Sequence, residues 1–268
     1  MRRIVILLFL IVSICSNSYA QVIGRMLNDE QYGARIKLVD EFFDRFNGIE
    51  DRPDINKDDS DYHLKRLLVL FNGKMFKTLT DSTFIAAKEF IETINRDTTK
   101  LNYTDSLWFA NATCHGKFKG KETVFTLYLT VEHRRSDMYK WVISKAQGDI
   151  FSLKPSKESE KIMMMPDDHE TNFLSLHRIT NEKDDLISNY TCKSHYVDET
   201  SVFLSYVYNG LLNIDYVSDL SFTFLQVPGY EFSIKEFERE GNNVGWLIYR
   251  FNKLSEEQKK NKIRFIYE

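Results

Sequence analysis

The run Val124 to His133, VFTLYLTVEH, sets Phe125, Leu127, Leu129 and Val131 on one side of the chain and Thr126, Tyr128 and Thr130 on the other. A repeat of two is what a strand needs when one face lies on a core and the other does not, and a helix would scatter the same residues around its axis. Such a strand cannot stand alone. Leu107 to Phe118 supplies a neighbour across the turn Lys119-Gly120-Lys121, and Met138 to Ala146 supplies another beyond the charged corner Arg134 to Asp137. Together they form an antiparallel meander.

The apolar side of this meander needs a cover, and the upstream chain provides amphipathic helices for it. From about Asp29 to Asn47 the sequence predicts a helix with Val39, Phe42, Phe43 and Phe46 on one stripe and Gly48 as its stop. A second helix, capped by Asp59 or Ser60, carries Leu64, Leu67, Leu68 and Phe71 and ends near Asn72-Gly73. A third, opened by Thr80 or Asp81, brings Phe84, Ala87, Ile91 and Ile94 to the same core. Aromatic residues, 14% of the chain, fit a pleated surface well.

The same order recurs downstream. Helical patterns over Glu170 to Ile179, Asn181 to Tyr190 and Asp198 to Asn209 precede strands at Leu211 to Val227, Tyr230 to Arg239 and Val244 to Lys253, and Ile263 to Tyr267 reads as a last strand. Lys140-Trp141-Val142-Ile143 is echoed by Gly245-Trp246-Leu247-Ile248. Between the halves, Lys154 to Asp168 has two prolines, a run of charges and no clean period, which marks a linker. The expected organisation is α+β, with helices packed on a curved antiparallel sheet and two similar units in tandem. Residues 1–20 form a leader, 21–153 and 169–268 two α+β domains, and 154–168 the linker. The competing arrangement is one continuous mixed sheet with helices on one side.

Arg2-Arg3, the apolar run Ile4 to Ile14 and the small-residue pattern Ser18-Tyr19-Ala20 have the layout of a secretory signal peptide cleaved after Ala20. The expected destination is the periplasm or the medium. Cys15 at the end of the apolar run raises lipid anchoring, but bulky Ile14 stands where a small residue is wanted. No later segment is apolar enough to cross a bilayer. A formal charge of -3 gives no field for phosphate backbones and argues against nucleic acid as a partner. Cleavage leaves Cys114 and Cys192. In an oxidising compartment they could pair and gain about 4 kcal/mol through the unfolded state, and the alternative is two separate buried thiols.

The first half, with FFDRFNG on its opening helix and KWVIS on its last strand, resembles the NTF2-like cone, in which helices close over a curved antiparallel sheet. The second half, with HETNFLSLH and GNNVGWLI, resembles small secreted proteins of Gram-negative bacteria, a likeness that carries no chemistry. NTF2-like domains include isomerases, dehydratases and non-catalytic binding modules, so the class alone does not choose.

For catalysis in that manner a carboxylate or an Asp/Tyr pair must sit inside the cone, where desolvation makes a working base. Asp40 and Asp44 on the first helix, with Tyr128 and Tyr139 on strands, are the nearest candidates. Asp54 to Asp61 opens like a calcium loop, then puts Asp59 where the turn needs glycine and Lys65 where the bidentate Glu belongs. His169 and His177, eight apart, do not share a helix face as HExxH ligands do. His115 and His133 lie on neighbouring strands and could meet across the sheet. Lys117, Lys119 and Lys121 suggest protection of a strand edge. Nucleophile elbow, phosphate loop and CxxC are all missing from the sequence. The expectation is therefore no catalytic, cofactor or metal residue, and a non-enzymatic envelope protein that binds a small apolar ligand or another protein. A cone-pocket isomerase or hydratase is the rival.

Overall fold

The computed structural model describes residues 39–49, 56–78, 80–134, 138–152, 197–237 and 245–267. Helical residues 39–47 (α1), Tyr62–Leu68 (α2) and Ser82–Arg96 (α3) precede strands Trp108–Phe118 (β1), Lys121–His133 (β2) and Tyr139–Gln147 (β3). Helix Glu199–Tyr208 (α4) leads to Leu212–Phe224 (β4), Tyr230–Phe237 (β5) and Gly245–Lys253 (β6), and Glu256–Tyr267 (α5) follows. The class is α+β.

All six of these strands belong to one antiparallel sheet in the order β3-β2-β1-β4-β5-β6. The two meanders are joined through their first strands, with Trp108 opposite Phe224 and Ala110 opposite Phe222. Pairing thus runs straight across the boundary expected at 154–168, and the linker itself lies outside the described residues. The paired tryptophans acquire a common role: Trp141 on β3 and Trp246 on β6 approach the same central ring, Phe222, at 6.0 and 5.0 Å.

Alternation gives the sheet one apolar and one mixed face. Trp108, Ala110, Phe222, Phe224, Phe232, Ile234, Trp246 and Ile248 pack under the stripes of α1, α2 and α3, where Phe42, Phe46, Leu67, Ala87, Phe90 and Ile91 are buried. Farther along the same face Ala112, Cys114, Phe125 and Leu127 pack under Val202 and Phe203 of α4. Leu129 and Leu220 touch both clusters, so the apolar face is continuous. The opposite face takes α5, whose Ile266 and Ile263 meet Phe109, Leu225 and Leu254. Helices therefore cover both faces.

The stops read from the sequence are local chemistry. Gly48 has φ +72°, a conformation that costs glycine nothing, and Gly48 N and Ile49 N donate to the carbonyls of Arg45 (3.3 Å) and Asp44 (2.9 Å). Arg66 of α2 adds a lid: its Nη1 donates to the carbonyls of Arg45 (2.7 Å) and Phe46 (3.0 Å), placing a cation on the negative end of α1. The end of α4 is built the same way, with Gly210 N on Val207 O and Leu211 N on Tyr206 O. Lys119 and Gly120, both at positive φ, make the two-residue turn between β1 and β2.

Three expectations are corrected. Residues 263–267 are helical, because Ser255 and Gln258 form a reciprocal cap, Gln258 N donating to Ser255 Oγ (3.2 Å) and Ser255 N to Gln258 Oε1 (2.9 Å). The second α-helix stops before Phe71. There the chain bridges to β6, Asn72 N donating to Ile248 O and Ile248 N to Leu70 O, both 2.8 Å, so sheet pairing overrides the helical spacing. The edge expected at the lysine-rich tip is there only in part: Lys117 lies on β1, which is paired on both sides, whereas Lys121 opens a stretch of β2 that has no partner on its outer side among the described residues until Thr126.

Candidate functional site

Helix α1 presents a second stripe beside its buried one. Asp40, Phe43, Asp44 and Asn47 recur at the three-to-four spacing that aligns side chains along one helix face. They form one wall of an open cleft of about 580 Å³, completed by Leu101, Asn102 and Tyr103 of the loop before β1 and by Tyr139 and Trp141 of β3. Two of the carboxylates and one of the tyrosines singled out from the sequence are thus brought together. Tyr128 is not.

Tyr128 lies on the opposite face, where its ring meets Phe265 of α5 at 5.4 Å and its hydroxyl donates to Gln147 Oε1 at 2.8 Å. The strand repeat already placed it with Thr126 and Thr130, away from Phe125 and Leu127. Burial raises its phenol pKa, and the charge of Glu199 acts in the same direction.

The loop of the cleft is held at two adjacent residues by side-chain amides that imitate a strand partner. Asn47 Oδ1 accepts from Leu101 N (2.8 Å) while its Nδ2 donates to Leu101 O (2.9 Å). Gln226 does the same to Asn102, at 2.7 and 2.9 Å. Asn102 Oδ1 accepts from both the amide and the hydroxyl of Thr104. Trp108 Nε1 donates to Tyr103 O at 2.9 Å, fixing the tyrosine above the core. A loop so restrained keeps the cleft preformed.

The floor is aromatic. Tyr103 packs against Phe43 (5.4 Å), Trp108 (4.9 Å) and Tyr139 (5.8 Å), and stands nearly perpendicular to Trp141 at 81°. Beneath, Trp108 is fully buried between Phe43, Trp141 and Phe224, so the centre of the fold is filled with rings. Burial pushes the Tyr103 phenol above its ordinary range; the weak 3.4 Å bond donated by Trp141 Nε1 opposes this and the charge of Asp40 adds to it. Asp40 and Asp44 themselves are solvent-exposed. Among the described residues neither carboxylate has an ion pair or a side-chain hydrogen bond.

Elsewhere the candidates disperse. In the described part of the acidic loop, Asp59 is paired with Lys65 and accepts from Asp61 N (2.9 Å), and Asn56 Oδ1 accepts from Asp58 N (3.0 Å), so their oxygens face amides and an ammonium. His115 and His133 do not meet. His115 is opposite Val124 on β2, nine residues and about 30 Å along that strand from His133. One stacks on Tyr216 and bonds Ser218 Oγ, and the other donates Nε2–H to Thr104 O (2.7 Å). His169, His177 and Cys192 lie outside the described residues. Cys114 is buried, its Sγ 3.6 Å from Ala112 O, and burial pushes the thiol pKa up to about 11. Among the described residues no group of three or more His, Cys, Asp or Glu side chains is placed to hold a metal ion, and no helix is long and apolar enough to cross a membrane.

Comparison with family models, curated proteins and solved structures finds no match. The chemistry of the cleft must speak for itself. Sequence reasoning misses Tyr103, Asn47 and Trp141 as parts of it. Trp141 is legible only as a sheet residue, and Tyr103 sits in a turn, N-Y-T-D, with no period to reveal its direction.

Proposed function

We propose that this chain is an exported, non-enzymatic binding module of the cell envelope, built on an NTF2-like cone, and that a small ligand with apolar surface occupies the cleft between α1 and β3. The observation that carries the reading is the preformed aromatic floor of Phe43, Tyr103 and Trp141 at the mouth of an otherwise filled core. Concave, ring-lined sites with a few polar groups at the rim are the usual form of small-molecule pockets. The rival, a cone-pocket isomerase or hydratase, finds Asp40 and Asp44 near Tyr103 and Tyr139, yet such chemistry relies on a carboxylate sunk away from water, and both of these are exposed. Export rests on the leader read at residues 1–20 and is tested by the mass of the mature chain, which should begin at Gln21.

Tryptophan fluorescence and thermal melting in the presence of a panel of small aromatic and aliphatic compounds test the binding reading. At least one should raise the melting temperature of the chain and not that of Trp141→Ala. A panel that leaves both unchanged, with envelope proteins co-purifying instead, would replace the small ligand by a protein partner. Turnover of a keto-enol or hydration substrate, lost in Asp40→Asn or Asp44→Asn, would establish the enzyme.

A further inference from the structure

The rim of the cleft narrows the ligand class within the binding reading, and depends on that reading. We infer that the cleft is a site for a compact organic cation, of the tertiary or quaternary ammonium class. Among the described residues its lining contains four aromatic rings, Phe43, Tyr103, Tyr139 and Trp141, two carboxylates, and no lysine or arginine. Aromatic faces carry negative partial charge, so a cation over them is attracted, most strongly by tryptophan and tyrosine. Asp40 and Asp44, one helical turn apart on the same wall, add two full negative charges to the same mouth.

Two neighbouring cations are engaged elsewhere, and exposed Lys100, beside Leu101, lies outside the lining. Arg45 pairs with Glu41 at 3.5 Å, and Lys140 with Glu132 at 3.1 Å on the side of β3 away from Tyr139 and Trp141. Both amide side chains of the lining are committed to the loop: Asn47 by both ends to Leu101, and Asn102 by its oxygen to Thr104. What faces a ligand is therefore rings, two phenol hydroxyls, the Asn102 Nδ2 amide and two carboxylates. That set repels anions, including fatty acids. A neutral sugar could donate to the two carboxylates but would find as donors only two phenols and the Asn102 amide among the described lining residues, which makes maltose the competing probe. A soft, weakly hydrated ammonium is satisfied by rings on its surface and by carboxylates at contact distance, with no directed hydrogen bond required.

Calorimetry on the full chain with choline as probe, its uncharged isostere dimethylbutanol, maltose and laurate separates the cases. Choline should bind about tenfold tighter than dimethylbutanol, and its affinity should fall with added salt. Tyr139→Ala should weaken choline about fivefold. The double variant Asp40→Asn, Asp44→Asn, at exposed positions that leave folding intact, should weaken it about threefold and flatten the salt dependence. Equal binding of choline and dimethylbutanol, or preference for maltose or laurate, overturns the cation site while leaving a binding cleft. Binding of none of the four overturns the cation site, and failure of the wider compound panel as well overturns the binding reading with it.

Discussion

At the scale of single residues, two positions on β1 are set by how closely its neighbours approach. A Cβ on Gly116 would lie 2.0 Å from the carbonyl oxygen of Asn213, at a register shift between β1 and β4. Backbone cannot yield as a side-chain tip can, so Gly116→Ala should destabilise by about 1–3 kcal/mol, read as a lower urea midpoint with unchanged slope. Two residues earlier, Cys114 is buried with its thiol pKa raised from 9.0 to about 11. The native state then holds a proton that the unfolded chain releases, so this contribution is complete below pH 9 and is lost as pH rises toward 11. The stability of the wild-type chain should fall relative to Cys114→Ala over that window, and alkylation of the thiol at pH 8 should require denaturant. A cysteine in a strand was visible in the sequence. Which face it took followed from its spacing to Ala112, but its surroundings did not.

At the scale of elements, a side-chain cap marks where α3 begins, whereas α2 starts after Asp61 with no side-chain cap and not at the Asp59 or Ser60 cap expected. Asp81 accepts from Thr83 N (3.0 Å) and Lys77 N (3.2 Å) at the start of α3, and these backbone bonds hold its carboxyl below the ordinary 3.8. A depressed acid stabilises above its unfolded pKa and loses that contribution as pH falls through the folded value. Below about pH 4, the melting temperatures of the wild type and Asp81→Asn should therefore converge, measured by circular dichroism. The last helix is tied differently. Lys262 pairs with Glu231, a carboxylate on β5 that also accepts from Asn252 Nδ2 at 3.1 Å and is only 6% exposed. Lys262→Ala would strand that charge, costing about 1–3 kcal/mol in denaturant unfolding, and Glu231→Gln in the same chain should restore part of it. The capping pair Ser255 and Gln258 was present in the sequence as S-E-E-Q. The apolar residues Ile263, Phe265 and Tyr267 alternate and gave a strand pattern, and the cap outweighed it because it starts a helix with both orphan amides satisfied.

At the scale of the molecule, the joint between β1 and β4 matters most. Trp108 is fully buried and stacks on Phe224 at 5.2 Å, a ring contributed by the second half of the chain. The fragment 21–153 would leave β1 an open edge and Trp108 without that partner, so it should lack cooperative unfolding and bind a hydrophobic dye such as ANS. The whole chain should unfold in one transition, with tryptophan fluorescence and far-ultraviolet ellipticity coinciding, since Trp108, Trp141 and Trp246 all report on the same layer around Phe222.

Period, caps and turn residues act within a few positions of one another, which is why the third helix, the described part of the first, the six strands and the stop at Gly48 could be read from the chain alone. So could the two aspartates beside the buried stripe of α1 and the facing of Tyr128, once the alternation of β2 was followed. Strand partnership is different. Any apolar strand can pair with any other, and the choice of β4 as the neighbour of β1 rests on the summed packing of Trp108, Ala110, Phe222 and Phe224 across more than a hundred residues of intervening chain. The cleft is a consequence of that choice, because it needs the filled aromatic layer beneath it, the Gln226 clamp from beyond β4 and the β3 rings above. Only tertiary structure brings these together.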